Sequence, residues 1–287
     1  MRYTLPNLII IGAAKSGTSS MHYYLNLHPE ISMSKQKELN FFNSELGWKK
    51  GVKWYSSNFT GKAKIYGESS PSYTDYPRYK GIARRMYSVV PEAKLIYIVR
   101  DPIERLVSHY LDKVKGGQEN RTIGRALEGL ENTDYVCIGK YFMQLEQYLR
   151  YYGKGRILVI SSEKLKDERR ASLQRVFRFL NVDDSFYCGG FSELKNVSDE
   201  KLKRKKPKRI IRYFMSCETE TLGVKEVIKR MVPKPLKNRL RQSLNTGEKV
   251  DRPALDSGLK NVLREIFRKD VENLRKFTGC EFKNWSL

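Results

Sequence analysis

A chain of 287 residues that is 40% hydrophobic and 30% charged is long and apolar enough for one large domain with a buried core, which excludes a disordered or fibrous protein. Its net charge of +23 favours phosphates, sulfated or carboxylated sugars, acidic proteins, nucleic acid or anionic membranes without choosing among them. The longest apolar run, LIIIGAA at Leu8 to Ala14, is far short of the ~20 residues that cross a bilayer.

No secretory signal is expected from the opening residues. Cys137, Cys188, Cys217 and Cys280 are widely spaced and form no metal-ligand pattern. The expectation is a cytoplasmic, metal-free protein with free thiols.

In chain order, NLIIIG (Asn7 to Gly12) reads as a buried parallel strand ending in glycine. GAAKSGTSS follows, and Ser19 to His28 fits a helix stopped by Pro29. KIYGES (Lys64 to Ser69) is a shorter strand. AKLIYIVRD (Ala93 to Asp101) is a second buried strand, followed by a helix from Pro102 to about Lys115. A Tyr-rich helix at Tyr141 to Tyr152 precedes a third strand, RILVISSE (Arg156 to Glu163). Helices are also expected at Ser172 to Val182 and at Leu259 to Gly279. Strands alternating with helices predict an α/β fold, a three-layer arrangement with a central, mainly parallel sheet flanked by helices. Ligands of such sheets bind beyond the carboxyl ends of the strands, where Gly12, Ser69, Arg100 and Ser162 fall.

The stretch GAAKSGTSS departs from the nucleotide loop G-x-x-x-x-G-K-[ST] in one respect. Gly12, Gly17 and Ser19 keep their places, but Thr18 takes the lysine slot and Lys15 stands three residues earlier. A loop entering a helix presents N–H groups to a phosphate. Lys15 within the arch puts an ammonium beside the enclosed phosphate, and Thr18 and Ser19 add hydroxyls. Asp101 imitates a magnesium aspartate, yet the adjacent Arg100 opposes a cation there. The pattern suits one phosphate and its leaving-group oxygen without a metal. A small-molecule kinase with a variant loop is the competing enzymatic reading.

GAAKSGTSS, Leu27-His28-Pro29, KELNFFN (Lys37 to Asn43), GESSPSY (Gly67 to Tyr73) and IVRDPIERLVSHY (Ile98 to Tyr110) together resemble the PAPS-dependent sulfotransferases, in the branch of the heparan sulfate sulfotransferases and related bacterial enzymes. The likeness covers Pro6 to Tyr110 and is looser over Gly139 to Leu165 and at the last helix, ending in Trp285. It implies a single P-loop-type sulfotransferase domain over 1–287 that transfers a sulfuryl group from 3′-phosphoadenosine 5′-phosphosulfate (PAPS) to an acceptor hydroxyl or amine by direct in-line transfer. The acceptor class it implies is a carbohydrate or glycolipid. A carrier-protein-bound or small-molecule hydroxyl is the alternative.

The resemblance also implies roles. Ala14, Lys15, Ser16, Gly17, Thr18 and Ser19 hold the 5′-phosphate side of the donor, with Lys15 stabilising the departing oxygen. Arg100 and Ser108 contact the 3′-phosphate, and Glu38 is the general base. Asn40 stands where heparan-type members often carry histidine, and Ser69 where they often carry lysine. His22, His28 and His109 are expected to be structural.

Lys201 to Arg241 holds 15 lysines and arginines against Glu218, Glu220 and Glu226. The stretch 195–256 is expected to be a basic, partly flexible insertion. It is suited to an anionic acceptor or to peripheral contact with an anionic membrane; no nucleic-acid partner is expected.

Overall fold

The computed structural model describes residues 3–43, 45–193, 202–203 and 249–287. The other residues, with most of the basic stretch expected at 195–256, lie outside this description.

Five parallel strands form one sheet in the order β2-β3-β1-β4-β5: β1 (Leu8–Gly12), β2 (Ile31–Met33), β3 (Ile65–Ser69), β4 (Lys94–Val99) and β5 (Ile157–Ser161). The central strand β1 is buried on both faces, as its uninterrupted apolar run requires. Its register with β4 shifts between Ile10 and Gly12, where the chain leaves the ladder for the loop that precedes the first helix. There the Ala13 N–H donates to the Ile98 carbonyl at 2.7 Å.

The helices are α1 (Thr18–Leu25), α2 (Gly51–Ser56), α3 (Ile82–Val89), α4 (Pro102–Lys115), α5 (Ile123–Ala126), α6 (Asp134–Cys137), α7 (Tyr141–Leu149), α8 (Ser162–Asp167), α9 (Arg169–Leu180) and α10 (Ser257–Thr278). On one sheet face, Met21 and Leu25 of α1 and Val176, Phe177 and Leu180 of α9 pack with Ile10, Ile96, Ile98 and Ile160. On the other, α7 sets Tyr141 edge-on to Tyr97 of β4, ring centres 5.9 Å apart, and α10 packs on α7. The result is the three-layer α/β arrangement that the alternating pattern predicts.

Several boundaries differ from expectation. Helix α1 ends at Leu25, because Leu27 and His28 tighten into bonds to the carbonyls of Tyr24 and Leu25 ahead of Pro29. Ser162 and Glu163 open α8 instead of extending β5, with the Ser161 hydroxyl accepting the Lys164 N–H at 3.3 Å as a cap. Helix α9 begins at Arg169, earlier than expected, and α7 stops at Leu149. The edge strand β2 and helix α3 are additions, too short or too polar to announce themselves.

The chain divides into two compact units. One, from Met1–His109, Leu127–Val197 and Leu255–Leu287, holds the five-stranded sheet. The other, from Tyr110–Ala126 and Ser198–Ala254, holds an antiparallel pair, β6 (Leu202–Lys203) with β7 (Lys249–Val250). Among the described residues no helix is long and apolar enough to cross a membrane.

Candidate active site

Three chain segments meet at the carboxyl end of the sheet: the loop after β1, the Arg100 segment after β4, and the Glu38 segment bound to the end of β3. Neighbouring strands lie about 4.8 Å apart, so adjacent β3, β1 and β4 deliver these segments within roughly 10 Å across the sheet.

The loop fits an anion. Gly17, in the left-handed conformation at φ 100, precedes α1, whose first turn receives no side-chain cap. The N–H groups of that turn lie at the positive end of the helix dipole, where an anion is favoured. Lys15 is left-handed too, at φ 70. A Cβ on Gly12 would lie 2.0 Å from Thr74 Oγ1, so glycine is required for the chain to pass. The Ser16 N–H is engaged by the Ala13 carbonyl at 3.2 Å. Of the amides expected to hold a phosphate, those of Gly17, Thr18 and Ser19 are better disposed.

Arg100 is held from its backbone. The buried Tyr141 hydroxyl donates to the Arg100 carbonyl at 2.7 Å and accepts the Arg100 N–H at 3.3 Å. Burial pushes the phenol well above its ordinary range, so it stays a donor. The guanidinium meets Glu104 at 3.3 Å, one turn along α4. Ser108, buried, follows a turn later on the same face. Tyr141 is itself fixed by Asp270 of α10, whose oxygens accept the N–H groups of Phe142 and Met143, each at 2.9 Å.

Asp101 has a different task from a magnesium ligand. Its Oδ1 caps α4, accepting from Ile103 N–H at 2.9 Å and Glu104 N–H at 3.0 Å, while Oδ2 accepts the Ser286 N–H. Glu163 completes this corner. It accepts from the Asp101 N–H at 3.0 Å, the Ser161 hydroxyl at 2.6 Å and the Trp285 indole N–H at 3.2 Å. No cluster of three His, Cys, Asp or Glu side chains placed to hold a metal occurs among the described residues.

Glu38 reaches solvent, its side chain 55% exposed and 2.5 Å from the Lys37 ammonium. Its backbone is nonetheless fixed. The Glu38 N–H donates to the Ser69 carbonyl at 2.9 Å, and Asn40 Nδ2 donates to the Glu38 carbonyl at 2.9 Å. Glu38 (φ 65) and Asn40 (φ 50) are both left-handed. Of the five non-glycine residues with positive φ among those described, Lys15, Glu38 and Asn40 belong to this site. Such conformations cost about 1–3 kcal/mol each and persist where surrounding structure enforces them.

The family model described as the sulfotransferase domain matches residues 5–229. The chain belongs to the sulfotransferase family. Among its relatives, human bifunctional heparan sulfate N-deacetylase/N-sulfotransferase 2 is 28% identical over 222 residues, covering 65% of this chain and 25% of the relative. Human heparan sulfate glucosamine 3-O-sulfotransferase 5 is 31% identical over 190 residues, covering 62% and 54%. This sulfotransferase-family chain thus spans from a quarter to about half of the length of these curated relatives. A solved sulfotransferase from Alicyclobacillus acidocaldarius shares its fold, with a TM-score of 0.69 over 98% of this chain and 99% of that one at 22% identity.

Within this family frame, the structure gathers Lys15, the loop amides, Arg100 and Glu38 at one end of one sheet. His28 is structural, as expected: its Nε2 meets the Asp183 carbonyl at 2.9 Å between Phe177 and Phe186. Sequence reasoning missed Tyr141, Glu163 and Trp285 as supports of the Arg100 corner. A tyrosine at the start of an amphipathic helix was the available signal for the first.

Proposed function

We propose that this chain transfers a sulfuryl group from PAPS to an acceptor hydroxyl or amine. The observation that carries the reading is the loop itself, a glycine-led helix start with Lys15 in its arch and Arg100 just beyond the end of the neighbouring strand. The bound donor supplies an electrophilic sulfuryl group on a phosphate leaving group. Lys15 and the amides of Gly17, Thr18 and Ser19 bind and neutralise the 5′ side, charge that grows as transfer proceeds. Arg100, with Ser108 two turns along the helix that follows it, binds the 3′-phosphate through its planar fork. Glu38 accepts the acceptor's proton, and its exposure keeps it within an acceptor's reach.

The heparan sulfate sulfotransferases among the relatives support a carbohydrate acceptor, and the basic composition supports an anionic one. Free thiols at Cys137, Cys188 and Cys280 agree with the cytoplasmic setting proposed for it.

Calorimetric titration with 3′-phosphoadenosine 5′-phosphate (PAP) tests the donor. Micromolar-range binding without magnesium, and much weaker ATP binding, is expected; equal binding of ATP would return the loop to the kinase reading. Transfer from labelled PAPS to desulfated heparin, simple glycosides and glycolipids then sorts the acceptor.

A further inference from the structure

Glu68, the fourth residue of β3, is a fully buried carboxylate that the proposed transfer does not use. Its Oε1 accepts from the hydroxyls of Tyr55 at 2.8 Å and Tyr73 at 2.7 Å, and its Oε2 accepts from Ser70 at 2.7 Å. Burial raises its carboxyl above the ordinary range, and the three hydroxyl donors work against that rise.

Because the Ser70 and Tyr73 protons point at Glu68, the lone pairs of both oxygens face away from it. There they meet backbone donors two residues apart: Asn40 N–H reaches Ser70 Oγ at 3.0 Å, and Phe42 N–H reaches Tyr73 Oη at 3.4 Å. Asn40 is further tied by the Ser72 hydroxyl, which donates to its Oδ1 at 2.6 Å, and in turn it holds the Glu38 carbonyl. One buried acceptor therefore orients two hydroxyls that pin the segment carrying Glu38.

We propose that Glu68 is a positioning residue for Glu38, holding the Glu38–Phe42 segment, with its left-handed Glu38 and Asn40, in place through the hydroxyls of Ser70 and Tyr73. The inference rests on the sulfotransferase reading for Glu38's role as base. The restraint itself rests on the hydrogen bonds alone. A glutamine at position 68 has one acceptor oxygen where the carboxylate has two. With its Nε2 facing Ser70 it would donate to Ser70 Oγ, so the Ser70 proton would lose the acceptor that now fixes the hydroxyl's orientation toward Asn40 N–H.

Ser70→Ala removes one link while leaving Glu68 its two tyrosines; Tyr73→Phe removes the other, and Glu68→Gln disturbs the hub. Each is made in the full chain. Amide hydrogen exchange is followed for the peptide spanning 36–43 and for the loop peptide spanning 12–20. The expected result for Ser70→Ala is about tenfold faster exchange in the first, no change in the second, and PAP affinity within twofold of wild type. With labelled PAPS and desulfated heparin, or water as acceptor, kcat is expected to fall about tenfold in the wild-type background and not at all in Glu38→Gln. Unchanged exchange at 36–43 in all three variants overturns the proposal, as does an equal loss of rate in both backgrounds. A wild-type chain that fails to bind PAP would sink the sulfotransferase reading instead, while the exchange data still judge the restraint.

Discussion

Thr74 Oγ1 lies where a Cβ on Gly12 would approach it to 2.0 Å, so the phosphate loop and the segment after β3 interlock at a point that tolerates no side chain. Gly12→Ala is expected to cost about 1–3 kcal/mol through overpacking and to weaken PAP binding as the loop shifts. Urea midpoints with and without PAP measure both effects. Full stability and full PAP affinity in this variant would show that the close approach is not required.

Arg100 is braced on its backbone by Tyr141, and its side chain is only 28% exposed. Arg100→Ala is expected to weaken PAP by ~2–3 kcal/mol, roughly 30- to 150-fold, since a charged phosphate would lose its paired donors. Adenosine 5′-phosphate, which has no 3′-phosphate, should bind wild type and variant alike. An equal loss for both nucleotides would place Arg100 elsewhere in the site.

Glu38→Gln keeps size and polarity without the ability to take a proton. A general base is typically worth ~10²–10⁴-fold, and kcat is expected to fall by that much with PAP affinity intact. Lys15→Ala is expected to lower PAP affinity and kcat together, because its ammonium meets charge present before and during transfer. Single-turnover kinetics separates the two. Near-normal kcat in Glu38→Gln rules out this residue as the base.

Two buried groups set opposing pH dependences. Burial, helped by the nearby Lys37 ammonium, lowers the His22 imidazole to about 4 from 6.5. As pH falls from 6.5 to 4 the unfolded chain takes up a proton that the folded chain refuses, so stability drops, by up to ~3 kcal/mol. Burial raises Asp270 to about 6 from 3.8. Over the same fall in pH the folded chain takes up a proton first, so stability rises by a comparable amount. Wild type is therefore expected to change little from these two groups between pH 6.5 and 4. His22→Asn leaves the rise uncompensated, and Asp270→Asn leaves the drop. Urea midpoints at pH 7 and 4.5 check this, and identical pH slopes in all three proteins would refute it.

What could be read from the chain was what lies close together along it. The β1 strand, the loop and α1 are contiguous, and their periodicity and glycines suffice to place Lys15 and Ser19. Arg100 was legible because a buried strand must end where a charge and Pro102 follow. That Asp101 only imitates a magnesium aspartate was legible from the adjacent Arg100, but its role as a helix cap was not, since only the bonds from the Ile103 and Glu104 amides reveal it. Glu68 was hidden for another reason. Its partners Tyr55, Ser70 and Tyr73 are nearby in sequence, but nothing in GESSPSY says that the glutamate faces inward.

The contact from Ser286 to Asp101 spans 185 residues, whereas every strand of the five-stranded sheet lies between residues 8 and 161. During synthesis the sheet can assemble before residue 286 exists, and the brace on Asp101 closes across one of the longest loops in the molecule. Ribosomal emergence therefore separates two events, framework first and the Arg100 corner later. A cut just beyond α10 would remove both the Ser286 bond to Asp101 and the Trp285 bond to Glu163, leaving the Arg100 corner without its distant anchor.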